Sequence, residues 1–331
     1  MSNRQFRPGR RLVREGVIRS KTHRRVAAWP SVGVVIATRN RPMLLRRALT
    51  AVLAQAYPGP IHVAIVHDQA EPDVALAAGG DRPVTVLMNQ RTPGLTGARN
   101  TGVLALATEL VAFCHDDDVW APEKLQAQVA ALTAAAGAEV ATCATELEYD
   151  GRRTPRLAGL DRIDLADLTR ARLATLPSST FLIRRAALVG PDRIGLLAED
   201  APGNQNQDWD LLLRAARRAP IAHVDEPLVR MLWRYTSPYS YEYTTKISSL
   251  RWIMARHPQL ESGRPEAARV YGRLACWSAA SGNRRAAWHW TKQTVRQNWR
   301  EPRAAIALAA LSGAVRIERL LATLHRRGHL V

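Results

Sequence analysis

Blocks of hydrophobic residues recur through the first third of the chain with the lengths expected of buried strands. Apolar runs occupy residues 31–37 (SVGVVIA), 61–66 and 83–88, and a fourth begins at Leu110. Helical patterns separate them, at residues 42–55 after an initial proline and at residues 94–107 after a glycine-rich turn. Strands that alternate with helices predict a mostly parallel sheet with helices on both faces, an α/β fold.

The middle of the chain continues this pattern less regularly. Residues 139–146 and 178–184 are further strand candidates, and a helix opens at residue 207 with the sequence QDWDLLLR. Asp208 and Asp210 lie in its first turn, where the helix dipole favours negative charge. Arg214 follows Asp210 at helical spacing, which predicts a surface ion pair, whereas Asp208 has no such local partner.

From about residue 240 the pattern is helical throughout. Helices are predicted at residues 241–256, 265–280, 284–299, 301–311 and 314–326. Their tight turns resemble helical-hairpin repeats, although no regular period is demonstrable. We expect the tryptophans of this region to pack between helices rather than to form a ligand cage: Trp252, Trp277, Trp288, Trp290 and Trp299.

The basic charge is concentrated at the two ends of the 331-residue chain. The formal net charge is +18, yet residues 30–245 hold 22 basic against 24 acidic side chains. Only four of the 47 basic residues are lysine. The basic ends therefore predict surfaces for an anionic membrane, an acidic partner or a charged acceptor, and nothing in them specifies nucleic acid.

The sequence contains few features that indicate where in the cell the protein is located. Three cysteines, Cys114, Cys143 and Cys276, have the spacing of neither a zinc site nor a disulfide framework. The first 30 residues are rich in arginine and lack the apolar segment of a secretion signal, and no apolar run is long enough to span a bilayer. The expected location is the cytoplasm, with the inner face of the membrane as a candidate for contact.

Three successive carboxylates, Asp116, Asp117 and Asp118, end the apolar run that begins at Leu110. Adjacent carboxylates repel one another, so a cluster at a strand end favours a nearby cation, and these ligands suit Mg²⁺ or Mn²⁺ carrying a substrate diphosphate. The alternative is a solvated turn that caps the next helix, since Asp is a favoured capping residue.

Other polar groups are expected at the same edge of the sheet. Residues 39–41 follow the first strand and Asp68 follows the second, so both lie at carboxyl ends, where α/β sheets bind ligands. Neither a dinucleotide-binding glycine pattern nor a P-loop occurs, which argues against a classical NAD enzyme and a P-loop ATPase. A nucleotide here would be held by carboxylates and metal.

Six segments together resemble the family 2 glycosyltransferases of GT-A fold, over roughly residues 31–235. They are VVIATRNRP, IVHDQ, GLTGARNTG, FCHDDDVWAPEKL, SSTFLIRR and QDWDLLLR, in this order. The resemblance implies a GT-A, Rossmann-like domain at residues 30–239 between a basic extension, 1–29, and an all-helical region, 240–331. It also implies an inverting, metal-dependent enzyme that uses nucleotide-diphosphate sugars.

The resemblance assigns roles to particular residues. Asp208 matches the catalytic base, Asp117 with its neighbour Asp118 matches the metal ligands, and Asp116 matches the ribose contact. Further nucleotide-sugar contacts are implied at Thr38, Arg39, Arg41, Asp68, Arg99 and Asn100. Asp68 matches the carboxylate that binds the imide nitrogen of the base, so a UDP- or dTDP-sugar is the expected donor.

Three positions depart from the family pattern. His67, His115 and Gln207 stand where the family usually has an acidic residue. These changes bear on nucleotide preference and metal affinity more than on the reaction, and we expect His115 to be a polar neighbour of the metal rather than a ligand.

Several alternatives remain at this point. The three departures from the family pattern are the reason to consider a nucleotide-sugar-binding protein without activity. A nucleotidyltransferase is a second alternative, because it would also gather carboxylates around a metal ion. A basic module that binds nucleic acid is a third, and the neutral middle of the chain argues against it. The acceptor is open: a glycan, a lipid-linked sugar, a natural product or a peptide. Residues 233–235 and 239–243 carry aromatic side chains that are candidates for acceptor contacts.

Overall fold

The structure, a computed structural model, describes residues 29–149, 151–169, 176–190, 193–232 and 242–314, together with residues 317 and 320. The basic extension up to residue 28, the aromatic segment 233–241 and most of the last predicted helix lie outside the described residues.

A ten-stranded sheet forms the centre of the protein. Its strands are β1 (Val32–Thr38), β2 (Ile61–His67), β3 (Val84–Met88), β4 (Leu110–His115), β5 (Asp118–Trp120), β6 (Val140–Tyr149), β7 (Arg152–Arg156), β8 (Arg162–Ile163), β9 (Leu182–Arg184) and β10 (Ile221–Leu232). They lie in the order β3-β2-β1-β4-β9-β6-β10-β5, with β7 beside β6 and β8 beside β10. Strands β1 to β4 are parallel, as are β6 and β10, so the mostly parallel sheet is confirmed.

Helices cover both faces of this sheet. They are α1 (Pro42–Leu53), α2 (Leu95–Ala105), α3 (Lys124–Ala134), α4 (Leu165–Thr169), α5 (Arg185–Leu188), α6 (Gln207–Ala216), α7 (Tyr243–Arg256), α8 (Arg264–Ala280), α9 (Arg284–Gln297) and α10 (Pro302–Leu311). The sequence patterns do not predict β7, β8, β10, α4 or α5, and two predicted segments differ in the structure. Residues 178–180 form a single 3₁₀ turn before β9 rather than strand, and β5 begins inside the acidic cluster, at Asp118.

Strand β1 shows why an unbroken apolar run was the correct signal. All its residues are buried, because both faces of the sheet are covered. Val35 belongs to the core that includes α2 and α6, whereas Val34 and Ile36 belong to the core that includes α1 and α3. A Cβ at Gly102 would lie 2.5 Å from Val35 Cγ1, so glycine at this position lets α2 lie directly against β1.

The helical C-terminal region, α7 to α10, is confirmed and packs against the α/β core. Leu250, Ile253 and Leu274 from this region lie in the same buried cluster as Leu211 and Leu212 of α6. Buried apolar contact of this kind fixes α6 between the sheet and the helices that follow it. Where the boundary between the two regions lies remains a prediction.

The prediction that all five tryptophans pack between helices is wrong for two of them. Trp277 is 9% exposed, and Trp290 stacks on Tyr271 with ring centroids 5.4 Å apart. Trp288 and Trp299, in contrast, are 48% and 72% exposed. Trp288 lies on the exposed side of α9 and Trp299 follows the end of that helix, and the tryptophan content alone did not reveal either position.

The three cysteines are free and buried. Among the described residues, no helix is both long and apolar enough to cross a membrane.

Candidate functional site

The carboxyl ends of β2, β1 and β4 bring predicted site residues to one edge of the sheet. The backbone carbonyl of Thr38, at the end of β1, accepts a hydrogen bond from the backbone N–H of Asp68 at 2.9 Å. On the other side of β1, Ala37 pairs with His115 at the end of β4. The segments that carry Thr38, Asp68 and the acidic cluster are therefore neighbours, and together they line what we call the crevice.

Arg41 lies between two carboxylates of the acidic cluster. Its Nη1 is 3.2 Å from Asp116 Oδ1 and 3.2 Å from Asp117 Oδ2. Thr38 Oγ1 donates a hydrogen bond of 2.8 Å to Asp116 Oδ2. Burial raises the pKa of Asp116, although Thr38 and Arg41 act in the opposite direction. The side chain of Arg41 is 42% exposed against 8% for Asp116, so the carboxylate is fixed and the guanidinium is the partner with room to move.

Asp68 is held by the loop that precedes α2. Its Oδ1 accepts hydrogen bonds from Asn89 Nδ2 at 2.8 Å and from the backbone N–H of Gly94 at 2.9 Å, and its Oδ2 accepts one from Gln69 Nε2 at 3.1 Å. Gly94 has φ of +122°, which favours glycine and allows this approach. The carboxylate is thus oriented, and Oδ2 retains a lone pair for a further donor.

Asp118 carries a buried oxygen that lacks a hydrogen-bond donor. The residue is 3% exposed, and its Oδ2 accepts no hydrogen bond, although His115 Nδ1 lies 3.3 Å away. Burial raises the pKa of Asp118 to about 7. Possible ligand atoms of His115, Asp117 and Asp118 all lie within 4.8 Å of one another. Ser179 hydrogen-bonds to this carboxyl group, but its Oδ2 stays without a hydrogen bond, and a buried carboxylate oxygen of this kind beside a second carboxylate fits a divalent cation.

The contact with Arg99 determines whether His115 can bind a metal ion. Arg99 Nη2 lies 2.5 Å from His115 Nε2, and because a guanidinium only donates hydrogen bonds, Nε2 is the acceptor. Burial, followed by the positive charge of Arg99, lowers the pKa of His115 to about 4, so the ring is neutral near pH 7. Its single hydrogen is then on Nδ1, the nitrogen that faces Asp118. His115 has no lone pair to offer a metal ion in this arrangement, which leaves Asp117 and Asp118 as the candidate ligands.

The same arginine holds Asp208. Asp208 Oδ1 accepts a hydrogen bond from Arg99 Nη1 at 3.0 Å, and Oδ2 accepts one from the backbone N–H of Ser178 at 3.0 Å. Burial lowers the pKa of Arg99 and the charge of Asp208 opposes this effect; the guanidinium stays charged. The Asp208 side chain is 21% exposed, whereas that of Arg99 is 2% exposed. One buried guanidinium therefore connects Asp208 of α6 to His115, the residue before the acidic cluster.

Two residues that the resemblance predicts to contact the nucleotide sugar, Asn100 and Arg39, are not among the residues that contact Arg99 or the acidic cluster in the interactions described above. Asn100 is buried, with Nδ2 donating to the Leu197 carbonyl at 2.9 Å and to Glu199 Oε1 at 2.7 Å, and with Oδ1 accepting from the Leu197 N–H at 3.2 Å. Asn100 thus fixes the segment that leads to α6. Arg39 is exposed at the turn after β1.

Sequence reasoning missed the serines of the turn before β9. Ser179 Oγ accepts a hydrogen bond from the His115 N–H at 2.8 Å, and Ser178 Oγ lies 2.9 Å from His115 Nε2. Both serines are fully buried. A pair of serines directly before an apolar run was the available signal, because buried hydroxyls require partners.

The predicted surface location of the Asp210–Arg214 ion pair is wrong. Arg214 Nε does donate to Asp210 Oδ2 at 2.9 Å, but Asp210 is fully buried. Its Oδ1 accepts from Arg256 Nε at 3.2 Å and lies 2.8 Å from His257 Nε2. Burial alone would raise the pKa of Asp210; the hydrogen bond to His257 and the charges of Arg214 and Arg256 outweigh it and lower that pKa. Helix spacing could not reveal partners that come from the end of α7.

Parts of the chain are similar in sequence to known proteins. An uncharacterized glycosyltransferase of Rickettsia felis is 24% identical over 221 residues, which are 60% of this chain and 33% of that protein. The succinoglycan biosynthesis protein ExoW of Rhizobium meliloti is 35% identical over 92 residues, 26% of this chain and 28% of that protein. The matched part of the chain thus spans about a third or less of these relatives.

Structural similarity extends over most of the chain. The structure of S. aureus TarS 1–349 in complex with UDP-GlcNAc matches with a TM-score of 0.60 and 17% identity, over 90% of this chain and 92% of that one. At these identities the match shows the fold, which is that of the GT-A glycosyltransferases. The model of the family described as "Glycosyltransferase like family 2" matches residues 30–255, well over half of the chain. The protein belongs to that family.

Proposed function

We propose that the protein is an inverting, metal-dependent glycosyltransferase that moves a sugar from a nucleotide-diphosphate sugar to an acceptor hydroxyl. The observation that carries this proposal is the position of Arg99, which contacts Asp208 on one side and His115, next to the acidic cluster, on the other. A candidate base and candidate metal ligands thereby share one site. The mannosyltransferase PcManGT of Pyrobaculum calidifontis, solved with GDP-Man and Mn²⁺, gives support through a fold match with a TM-score of 0.54 and 16% identity, over 90% of this chain and 85% of that one.

The nucleotide part of the donor is assigned to the crevice between β1, β2 and β4. Asp68 would bind the imide N–H of the base with the remaining lone pair of Oδ2, which favours a UDP- or dTDP-sugar. Asp116 would contact the ribose. Thr38, Arg39 and Arg41 would lie along the base and diphosphate, and Arg99 and Asn100 would flank this site.

The metal is assigned to Asp117 and Asp118, because the unpaired Oδ2 of Asp118 fits a cation. A bound Mg²⁺ or Mn²⁺ would supply positive charge to the diphosphate leaving group. Arg41, which now contacts Asp116 and Asp117, would then be available to the diphosphate.

Asp208 is assigned the role of general base. Each oxygen of its carboxylate accepts one hydrogen bond, from Arg99 or from Ser178, so each retains a lone pair for an acceptor hydroxyl. The acceptor oxygen would form a bond to the anomeric carbon while the bond from that carbon to the diphosphate oxygen breaks. Asp208 would take the hydroxyl proton, and the nucleoside diphosphate would leave. One displacement without a covalent intermediate inverts the configuration.

The proposals for the acceptor and for the cellular location name only classes, without a particular molecule or membrane. The acceptor is a glycan, a lipid-linked sugar, a natural product or a peptide, and the candidate contacts at residues 233–241 lie outside the described structure. The proposed location is the cytoplasm with contact to the anionic inner face of the membrane, and nucleic acid is not a proposed partner.

One second function has a specific observation in its favour. In this structure both oxygens of Asp208 accept hydrogen bonds, and His115 and Gln207 replace acidic residues of the family pattern. A nucleotide-sugar-binding protein without transfer activity would show the same features.

Calorimetry tests donor binding first. We expect UDP or dTDP to bind the full-length protein tightly only with Mn²⁺ or Mg²⁺, and Asp117→Ala to remove the metal-dependent part. Asp81→Ala, at an exposed loop carboxylate, is the matched control and should bind like wild type. Binding that is the same with and without metal would contradict the assignment.

Turnover then separates the candidate functions. Release of a nucleoside diphosphate from a nucleotide sugar, by transfer or by hydrolysis, supports the transferase. Binding without any release over long incubation supports the inactive protein. Release of pyrophosphate from a nucleoside triphosphate and a sugar phosphate would identify a nucleotidyltransferase instead.

A further inference from the structure

Helix α9 presents an apolar stripe to solvent. Trp288, Lys292, Val295 and Trp299 follow one another at intervals of four, three and four residues, so they lie along one side of the helix and the turn that ends it. Trp288 is 48% exposed, Val295 is 42% exposed and Trp299 is 72% exposed. We call these four residues the α9 stripe. Large apolar side chains grouped at a surface mark an interaction site more often than chance exposure does.

The charged side chains of α9 and of the turn that ends it are all of one sign. No Asp or Glu occurs between residues 284 and 300, and the basic residues of this segment are exposed: Arg284, Arg285, Lys292, Arg296 and Arg300. A partner that covers this surface must therefore bring negative charge.

Each exposed indole also has a cation over its face. Lys292 Nζ lies 5.1 Å from the ring centroid of Trp288, and Arg300 Cζ lies 5.0 Å from that of Trp299. Indoles placed beside basic groups are the pattern of membrane interfaces, where the ring lies at headgroup level and the cation meets a lipid phosphate.

We propose that the α9 stripe docks the protein on the headgroup region of an anionic lipid membrane. A second copy of the chain fits less well, because a two-fold contact would place the basic residues of one α9 against those of the other. Single-stranded nucleic acid fits less well, because base stacking needs open aromatic faces and one face of each indole, of Trp288 and of Trp299, already has a cation over it. The proposal is independent of the transferase reaction.

Vesicle co-sedimentation of the full-length protein tests the proposal. We expect binding to vesicles that contain phosphatidylglycerol and little binding to pure phosphatidylcholine, with affinity that falls as salt rises. Two double variants, Trp288→Ser with Trp299→Ser and Lys292→Glu with Arg296→Glu, should each weaken binding by roughly tenfold or more. All four side chains are exposed, so folding should be preserved, and circular dichroism checks this.

Matched controls separate the stripe from the overall charge of the protein. Arg47→Glu with Arg162→Glu changes net charge by the same amount at exposed positions outside α9, and Met43→Ser with Val74→Ser removes two exposed apolar side chains elsewhere. Both controls should bind within about twofold of wild type, since distant charges are screened at physiological salt.

Three results would overturn the proposal. Wild-type protein that ignores anionic vesicles excludes it. Vesicle binding that stays at the wild-type level in the stripe variants also excludes the proposal, because another segment of the protein would then be responsible for that binding. Stripe variants that bind vesicles normally but lose dimerisation in sedimentation velocity, or lose RNA binding in a titration, would assign the surface to a second copy or to nucleic acid.

Discussion

Two carboxylates in the first turn of α6, Asp208 and Asp210, have opposite surroundings. Asp210 is fully buried between α6 and the end of α7, where Arg214, Arg256 and His257 all contact it. Asp208 is 21% exposed at the crevice and is held by one guanidinium and one backbone N–H. The same residue type on one helix is thus enclosed at one position and accessible at the other.

The two regions also differ in their balance of charge. Asp210 is outnumbered by its basic partners. The acidic cluster and Asp208 instead bring together four carboxyl groups, Asp116, Asp117, Asp118 and Asp208, against the guanidiniums of Arg41 and Arg99, since His115 is neutral. The excess of negative charge suits a bound cation, whereas the Asp210 cluster needs no ligand. This difference supports the proposal that the crevice serves binding and chemistry, and it predicts that the Asp210 cluster serves stability.

The substitution Asp208→Asn should have the largest effect on activity. Removing a general base typically costs 10²- to 10⁴-fold in rate, so we expect transfer to fall by about 10³-fold. Donor affinity, measured by calorimetry with Mn²⁺, should stay within about threefold because an Asn side chain can still accept a hydrogen bond from Arg99. A variant that transfers sugar at the wild-type rate would refute the assignment of the base.

The substitution Asp210→Asn should have the largest effect on stability. Breaking a buried ion pair leaves charge uncompensated, here on Arg214 and Arg256, and typically costs about 3–5 kcal/mol. We expect the free energy of unfolding from urea denaturation to fall by about 3 kcal/mol. Asp208→Asn serves as the comparison and should lose less, because its site is partly open to water. Equal losses in the two variants would remove the distinction between the regions.

The pKa of Asp118 predicts a pH dependence that is specific to the crevice. With its pKa at about 7 when folded and 3.8 as the ordinary value, Asp118 stabilises the protein below about pH 4, and this contribution is lost as the pH rises to about 7. The loss is up to about 4 kcal/mol, because one pKa unit corresponds to 1.36 kcal/mol.

Unfolding of Asp118→Asn and wild type between pH 5 and 8, without divalent metal, measures this effect. The variant should become more stable relative to wild type as the pH rises. His115, whose folded pKa is about 4, destabilises the protein as the pH falls below 6.5, and comparing the two proteins at each pH removes most of that opposing contribution. Asp81→Asn should follow the wild-type curve, and a constant difference for Asp118→Asn would disprove the shift.

The smallest effect is expected from His257→Asn. The change removes one hydrogen bond of 2.8 Å to Asp210 while Arg214 and Arg256 still compensate its charge. A hydrogen bond to a charged group contributes about 1.5–3 kcal/mol, so we expect the free energy of unfolding, measured by urea denaturation, to fall by an amount near the lower end of this range. Transfer activity should stay within about twofold of the wild-type value. A collapse of activity in this variant would mean that the Asp210 cluster positions Asp208.

Local patterns in the sequence predicted most of the fold. The apolar runs of β1, β2 and β4 and the proline at the start of α1 were sufficient to predict these elements, because they follow from periodicity and backbone chemistry. The 3₁₀ turn at residues 178–180 was missed because its conformation depends on the contacts of Ser178 and Ser179 with other segments.

The site was predictable where it depended on strand ends and not where it depended on tertiary contacts. Thr38, Asp68 and the acidic cluster converge because parallel strands end at the same edge. The sequence did not reveal that Arg99 connects Asp208 to His115, or that Asp210 is enclosed by α7, since these partners are distant along the chain.

The three buried thiols allow the opening of separate parts of the protein to be followed. Cys114 and Cys143 lie in the core on the α1 and α3 side of the sheet, whereas Cys276 of α8 lies in the core on the other side. Burial raises the pKa of Cys143 to about 11 and that of Cys276 to about 12, so neither thiol reacts readily until its surroundings open. The order in which an alkylating reagent modifies them would reveal whether the helical layer detaches before the sheet, without any label having to be introduced.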